Sequence, residues 1–271
     1  MGKYNSITAH GASEPFLFQV AQGAVAGHIG VSKFGSNPAT SSSDDTIWER
    51  GGDINWPATA SVMKVSSSDD ADNGGTATGM LTVTIEGLDA NWDLQSETVT
   101  LKGTTDTVTV GSYIRVFRAY GATFGSGLTN AGVIYVYTGA DTAGVPDVAT
   151  TIYTTIAVGA GQTLQAAYST PRNYVGYLIN TTASSSGAGP VTVACKLKVR
   201  PGANSATAGW LVKDSWVLRS AGGEHRSDYA IPKTIPQRSD IQITGDSSGA
   251  NVDCSAGFDI VLVKQLPSHQ L

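Results

Sequence analysis

From residue 46 onward the chain alternates apolar and polar positions with a period of two. Leu81, Val83 and Ile85 fall on one side of a segment, with Thr82, Thr84 and Glu86 on the other, as expected of a strand with one buried face. The same alternation predicts strands over 58–66, 78–87, 94–102, 106–110, 112–120, 131–138, 150–157, 162–170, 173–181, 190–200, 209–219, 226–231, 239–244 and 251–264. Turn sequences punctuate them, among them Asp72-Asn73-Gly74-Gly75, Gly125-Ser126-Gly127, Pro201-Gly202 and Ala221-Gly222-Gly223. No stretch carries the period of an amphipathic helix. This many strands exceed one immunoglobulin-like sandwich. The pattern predicts an all-β fold, either a large antiparallel β-sandwich of jelly-roll type or two stacked sandwiches. The polar, turn-rich stretch 139–149 is a candidate subdivision of this 46–271 body.

Residues 1–45 read differently. Apolar residues Phe16, Leu17, Phe18 and Val20 are followed by glycines without a sustained period, and Asn37-Pro38 leads into a Ser/Thr/Asp run. This predicts an extended N-terminal arm and linker. Phe16, Leu17, Phe18 and Val20 would be its anchors, with Lys33 and Phe34 as further contacts. Such anchors need a surface to bury them, either the chain's own body or a partner subunit. The start lacks an apolar secretory core, and no apolar run is long enough to span a membrane. Gly2 and Ser6 match a loose myristoylation pattern, and Asn180-Thr181-Thr182 is a sequon. Both patterns are short enough to arise by chance.

Composition sharpens the β reading. Charged residues make up 14% of 271, and glycine 32 positions, against about 25% and ~7% in an average domain. Apolar content is 41%, too high for disorder. Thr and Ser therefore fill the outward strand positions. Net charge is −5, so a general nucleic-acid footprint is absent. The charge is unevenly placed: +1 over 1–43, −9 over 44–147 and +3 over 148–271. Acidic and basic faces meeting between copies would make assembly salt-sensitive; scatter over loops is the alternative.

Candidate chemistry is sparse. Cys195 and Cys254 lie on the apolar parity of their strands. They are either buried free thiols or, if their strands are neighbours, a disulfide. Gly245-Asp246-Ser247-Ser248-Gly249 matches a nucleophile motif, but a strand follows it where a helix is required. His10, His28, His225 and His269 lack metal or triad spacing. Asp89-Ala90-Asn91-Trp92-Asp93 begins like a calcium loop, yet Leu94 and Thr100 stand where Gly and Glu are needed. It reads as a tight turn. Asp69, Asp70 and Asp72 read as solvated loop charge. Glu86, Asp89, Asp93 and Glu97 are the carboxylates from which a glycosidase pair would have to come. Trp48, Trp56, Trp92, Trp210 and Trp216 are spread along the chain, suited to core packing or to a sugar-stacking platform. No catalytic, metal or cofactor site is expected.

Three segments carry a family resemblance: QVAQGAVAGHIGVSKFGSNP (19–38), TVTIEGLDANWDLQSETVTLKGTT (82–105) and DCSAGFDIVLVK (253–264). Together they resemble virion structural proteins of tailed bacteriophages, as in cyanophages and marine phages. There a glycine-rich arm precedes an all-β body with a GLDAN…SETVTLNGT block and an AGFDLILV last strand. Lys102 replaces the Asn of the block, and Ile260 and Val261 depart conservatively from the last strand. The resemblance implies a non-enzymatic protein of the capsid surface, of cement or decoration type. Its expected partners are the major capsid protein shell and itself, as a homo-oligomer of trimeric form. Its expected place is the virion, assembled in the bacterial host cytoplasm. A tail, neck or receptor-binding fibre component is the alternative, and a carbohydrate-active enzyme a more distant one.

Overall fold

The computed structural model describes residues 14–265 apart from 188, 204, 206, 220 and 250. The chain begins with helix α1 (Phe16–Ala21), then β1 (His28–Thr40), β2 (Asp45–Thr46), β3 (Ser61–Ser67), β4 (Met80–Leu88), β5 (Leu94–Thr100), β6 (Thr107–Tyr113) and β7 (Arg115–Phe124). It continues with β8 (Ile134–Tyr137), β9 (Asp141–Thr142), β10 (Val145–Pro146), β11 (Ile152–Ile156), β12 (Ala167–Ser169) and β13 (Tyr174–Ser186). The last strands are β14 (Thr192–Arg200), β15 (Leu211–Arg219), β16 (Ala221–Ile235), β17 (Asp240–Ser247) and β18 (Val252–Lys264). The fold is all-β. Each range of alternating residues contains a strand. No helix among the described residues is long and apolar enough to cross a membrane.

Two sandwiches share the chain. The first pairs a sheet of order β1-β18-β13-β16 with one of order β12-β17-β14-β15. Successive strands pass between these sheets in the order of an eight-stranded jelly roll. Its core includes Leu197, Val199, Ile241, Ile243, Phe258, Ile260 and Leu262. The second pairs β11-β8-β3-β6 with β5-β4-β7 over Met63, Met80, Val83, Ile85, Tyr113, Ile134 and Ile156.

The second sandwich interrupts one edge strand of the first. Both β2 and β12 pair with β17, at Thr46↔Thr244 and Ala167↔Gln242. Ile47 and Ala166 sit side by side, with the Ala166 amide donating to the Ile47 carbonyl at 2.9 Å. The chain thus leaves the jelly roll after residue 47 and returns at 166, at one point on one edge. The stretch 139–149 lies within this excursion. It carries the β9–β10 hairpin and a 3-10 turn, and it joins the paired strands β8 and β11.

The arm region is divided. Residues 28–40 form β1, antiparallel to β18 from His28↔Val263 to Asn37↔Cys254. Gly35 is needed there because the backbone of the edge strand crosses β1: a Cβ would lie 2.1 Å from the Ile47 carbonyl.

A buried polar cluster joins the two sandwiches. Arg115 of β7 donates to both carboxylate oxygens of Asp240 of β17, at 2.8 and 3.1 Å, and to the carbonyls of Pro57, Ile114 and Ala203. Arg200 of β14 also pairs with Asp240. The Arg115 guanidinium lies 4.7 Å from the Trp92 ring centre and 5.3 Å from that of Trp56. Arg200 lies 5.7 Å from Trp56 and 4.9 Å from Trp210. Three tryptophans scattered in sequence and two arginines thus form one alternating stack.

Candidate interaction surface

Helix α1 is six residues long and lacks a side-chain cap. Val20 is its tether: the side chain is buried and lies over Gly30 of β1. Phe16 makes an edge-on contact with His28 at 5.6 Å between ring centres. Otherwise Phe16, Leu17 and Phe18 project outward, with exposures of 52%, 50% and 64%. Three consecutive large apolar side chains so exposed are unusual on a lone soluble chain.

Beside them a groove of about 540 Å³ separates the first half of β1 from the inserted sandwich. Residues 29–34 form one wall. Leu94, Gln95 and Ser96 at the start of β5, with Glu86 and Arg118, form the other. Phe117 and Tyr168 meet at its base, 4.6 Å between ring centres. The rim is apolar, since Phe34 is 52% and Leu94 47% exposed.

The β1 wall ends in an unpaired strand edge. The Lys264 amide donates to the Gly27 carbonyl, which sets the alternation along β1. Ile29, Val31 and Lys33 therefore direct their backbone groups toward β18. Gly30, Ser32 and Phe34 direct theirs away, and they have no partner among the described residues. β5 is the outer strand of its sheet.

Two basic residues, Lys33 and Arg118, line the groove. Lys33 is buried, and its ammonium donates to the Phe117 carbonyl. Burial, aided by the nearby Arg118 charge, lowers its pKa to about 7. Arg118 stacks on Tyr120, reaches Gln162 and lies 3.6 Å from Glu86.

The structure thus brings Lys33 and Phe34 to the groove and places Phe16, Leu17 and Phe18 on the adjoining helix, while Val20 faces inward. The alternation pattern gave no sign of the opposite wall, because Leu94, Arg118 and Tyr168 come from strands distant in sequence.

The remaining sequence candidates have structural partners. Cys195 and Cys254 are free and buried. The neighbouring Cys254 thiol and burial push the Cys195 thiol up. Of residues 245–249, the first three end β17 and the last two lie in the turn that leads to β18, strand to strand. His225 stacks on Trp216 at 4.2 Å, while His10 and His269 lie outside the described residues, as do Gly2 and Ser6. Asp89 accepts from the amides of Asn91 and Asp93, as a tight turn requires. Asp93 pairs with Arg172, and Glu97 accepts from the amides of Val110 and Gly111. Asp72 departs from the expectation of solvated charge. It is fully buried, because three backbone amides converge on its carboxylate. No group of three or more His, Cys, Asp or Glu side chains among the described residues could hold a metal ion.

Charge along the sequence is partly neutralised by the fold. Asp44 pairs with Lys196 and Lys198, Asp93 with Arg172 and Asp240 with Arg115. Several acidic–basic contacts between the middle and the C-terminal segment are therefore made within one chain.

Glu49 gives the fold a pH dependence. Its carboxylate, just past the point where the chain leaves the jelly roll, accepts from the Ala157 amide at 3.0 Å and the Thr155 hydroxyl at 3.3 Å. Burial outweighs these bonds and raises its pKa from 4.5 to about 7. A carboxyl whose pKa is higher in the folded state stabilises fully below its unfolded value, and that stability is lost as pH rises through about 7. Glu49→Gln is expected to flatten this slope and to stabilise the protein by about 2 kcal/mol at pH 8. Urea unfolding at pH 5 and pH 8 measures it.

Among known proteins, no family model matches the chain and no curated protein matches it. Among solved structures, the chain is similar to the cowpea mosaic virus top component, the naturally occurring empty particles. Identity is 9% and the TM-score 0.22, over 79% of this chain and 90% of that one. It is also similar to the VP2 subviral particle of infectious bursal disease virus, at 8% identity and TM-score 0.23 over 92% and 77%. The Gt strain of that virus gives 8% and 0.21 over 93% and 78%. Scores this low do not establish a shared fold, and any functional reading rests on the chain's own residues.

Proposed function

We propose that the protein is a non-enzymatic structural part of a virion, of the capsid cement or decoration type. It assembles as a homo-oligomer, most simply a trimer, and binds the shell of major capsid protein. The observation that supports this reading is the exposed run Phe16-Leu17-Phe18 beside an open apolar-rimmed groove. Among the described residues about half or more of each side chain stays in water, and a second chain laid over them would remove that surface. Jelly rolls occur in viral shells and in lectins alike, so the architecture does not choose by itself. The resemblance of 19–38, 82–105 and 253–264 to tailed-phage virion proteins favours the shell. An oligomer holding several weak shell contacts at once gains avidity and resists outward pressure.

The test is addition of the purified protein to capsids of its phage that lack it. Co-sedimentation with the shells, and density on the shell in cryo-microscopy, is the expected result. Density confined to tail or neck, or no binding, retires the cement reading. Truncation must stop before β1: removing residues 1–38 would delete most of a jelly-roll strand along with the arm.

A further inference from the structure

We propose that the β1–β5 groove receives the Glu14–Phe18 segment of a second copy of this chain. This rests on the reading of the protein as a self-assembling virion part, and it names the contact.

Donor and receptor surfaces lie on one chain without meeting. The segment offers Phe16, Leu17 and Phe18 with most of their surface in water, and none of them lines the chain's own groove. Val20 holds α1 to β1 over Gly30, which itself lines the groove. The receptor offers an apolar rim of Phe34 and Leu94 above the Phe117–Tyr168 base.

The charges agree. Glu14 is the sole charged residue between 14 and 32. The groove sets Lys33 and Arg118 against a single acid, Glu86. An arriving carboxylate gives Lys33 a counter-ion that no acidic side chain supplies within salt-bridge range among the described residues. The unpaired backbone groups of Gly30, Ser32 and Phe34 suit a segment that pairs along a strand edge. A six-residue helix without a cap offers little resistance to that rearrangement.

Such a contact is head-to-tail: one surface gives and a different one receives. Repeated by a rotation that closes, it makes a ring, and a trimer is the smallest such ring beyond a dimer.

That geometry dictates the experiment. Two variants are made, Phe16→Ser/Phe18→Ser in the segment and Leu94→Arg at the groove rim. Both are checked for unchanged melting, and association is followed by sedimentation velocity. Wild type is expected to be oligomeric, and each variant alone to associate at least about tenfold more weakly. Mixed together they are expected to form a 1:1 heterodimer and nothing larger, because the mixture holds one intact segment and one intact groove. Glu14→Lys is expected to weaken association, and the salt dependence of wild type to shrink in that variant. A monomeric wild type, variants that associate like wild type, or a mixture that gives no heterodimer each overturns the proposal. Capsid binding is scored separately. A chain that associates as stated but never binds capsids removes the cement function and leaves this contact standing. Capsid coating with unchanged association of Phe16→Ser/Phe18→Ser does the reverse.

Discussion

Asp240→Ala is expected to destabilise the protein by about 3–5 kcal/mol, the cost of leaving a buried charge without its partner. Asp240 is fully buried and Arg115 nearly so. One carboxylate oxygen accepts from Arg115 and from the Ser169 hydroxyl, the other from Arg115 and Arg200. Arg115 uses all five of its N–H donors, the remainder on the Pro57, Ile114 and Ala203 carbonyls. Removing the carboxylate leaves one guanidinium sealed between Trp56 and Trp92 with no counter-charge. Arg115 belongs to the inserted sandwich and Asp240 to the jelly roll. The loss therefore falls on the junction, and denaturant unfolding of the variant should split into two transitions where wild type shows one. Arg115→Lys should also be costly, because a lysine cannot reproduce the fork that spans both carboxylate oxygens. A double replacement of Arg115 and Asp240 by apolar residues should recover much of the loss, since a buried ion pair contributes little beyond an apolar pair of similar volume. A single cooperative transition with unchanged midpoint in Asp240→Ala would show that the cluster holds nothing together.

The legible and illegible parts of this fold differ for physical reasons. Where one strand face is buried, alternation is strict, as in β14 with Val193, Cys195, Leu197 and Val199 inward. Those strands can be read from the residues alone. β1 cannot, because its inward positions are Lys33, Gly35 and Asn37. Lys33 is there to reach Phe117, and Gly35 to let another backbone cross. A polar residue and a glycine on the buried parity erase the signal, so residues 28–40 look like part of a linker. The insertion is hidden differently. It depends on β2 and β12 sharing one partner strand, β17, and pairs as far apart in sequence as Thr46 with Thr244 and Ala167 with Gln242 leave no local trace. The apolar anchors were legible as a cluster needing cover, and Phe16, Leu17 and Phe18 are indeed exposed. What receives them was not, because a groove is made by residues from six separate stretches. The tryptophans show the same limit: Trp56, Trp92 and Trp210 are distant in sequence, and it is Arg115 and Arg200, with the Trp56–Trp210 contact at 6.3 Å, that gather them into one cluster.

Asp72 is the second residue whose loss should be severe. Asp72→Ala is expected to cost about 3–5 kcal/mol, from three buried amides losing their acceptor at about 1–3 kcal/mol each with partial relaxation. One oxygen takes the amides of Met80 and Ala131 at 2.7 and 2.8 Å. The other takes the Gly132 amide and the Ser67 hydroxyl, both at 2.7 Å. A single side chain thus fixes the end of β3, the start of β4 and the turn before β8. The space around it is closed, since a Cβ on Gly79 would come within 2.2 Å of the carboxylate. Asn is no remedy. Its amide nitrogen would have to face either Met80 and Ala131 or Gly132, and in both cases a donor meets a donor. Asp72→Asn should therefore lie much nearer to Asp72→Ala than to wild type. The neighbouring Asp70 is the control. It is exposed, bonds only Thr104 among the described residues, and its replacement by Ala should leave the melting temperature nearly unchanged. Thermal melts of the three variants side by side, with protease nicking of the 125–132 turn as a local readout, decide the matter. Equal melting of Asp72→Ala and Asp70→Ala would mean that the converging amides find water instead, and that the knot is not what holds the inserted sandwich closed.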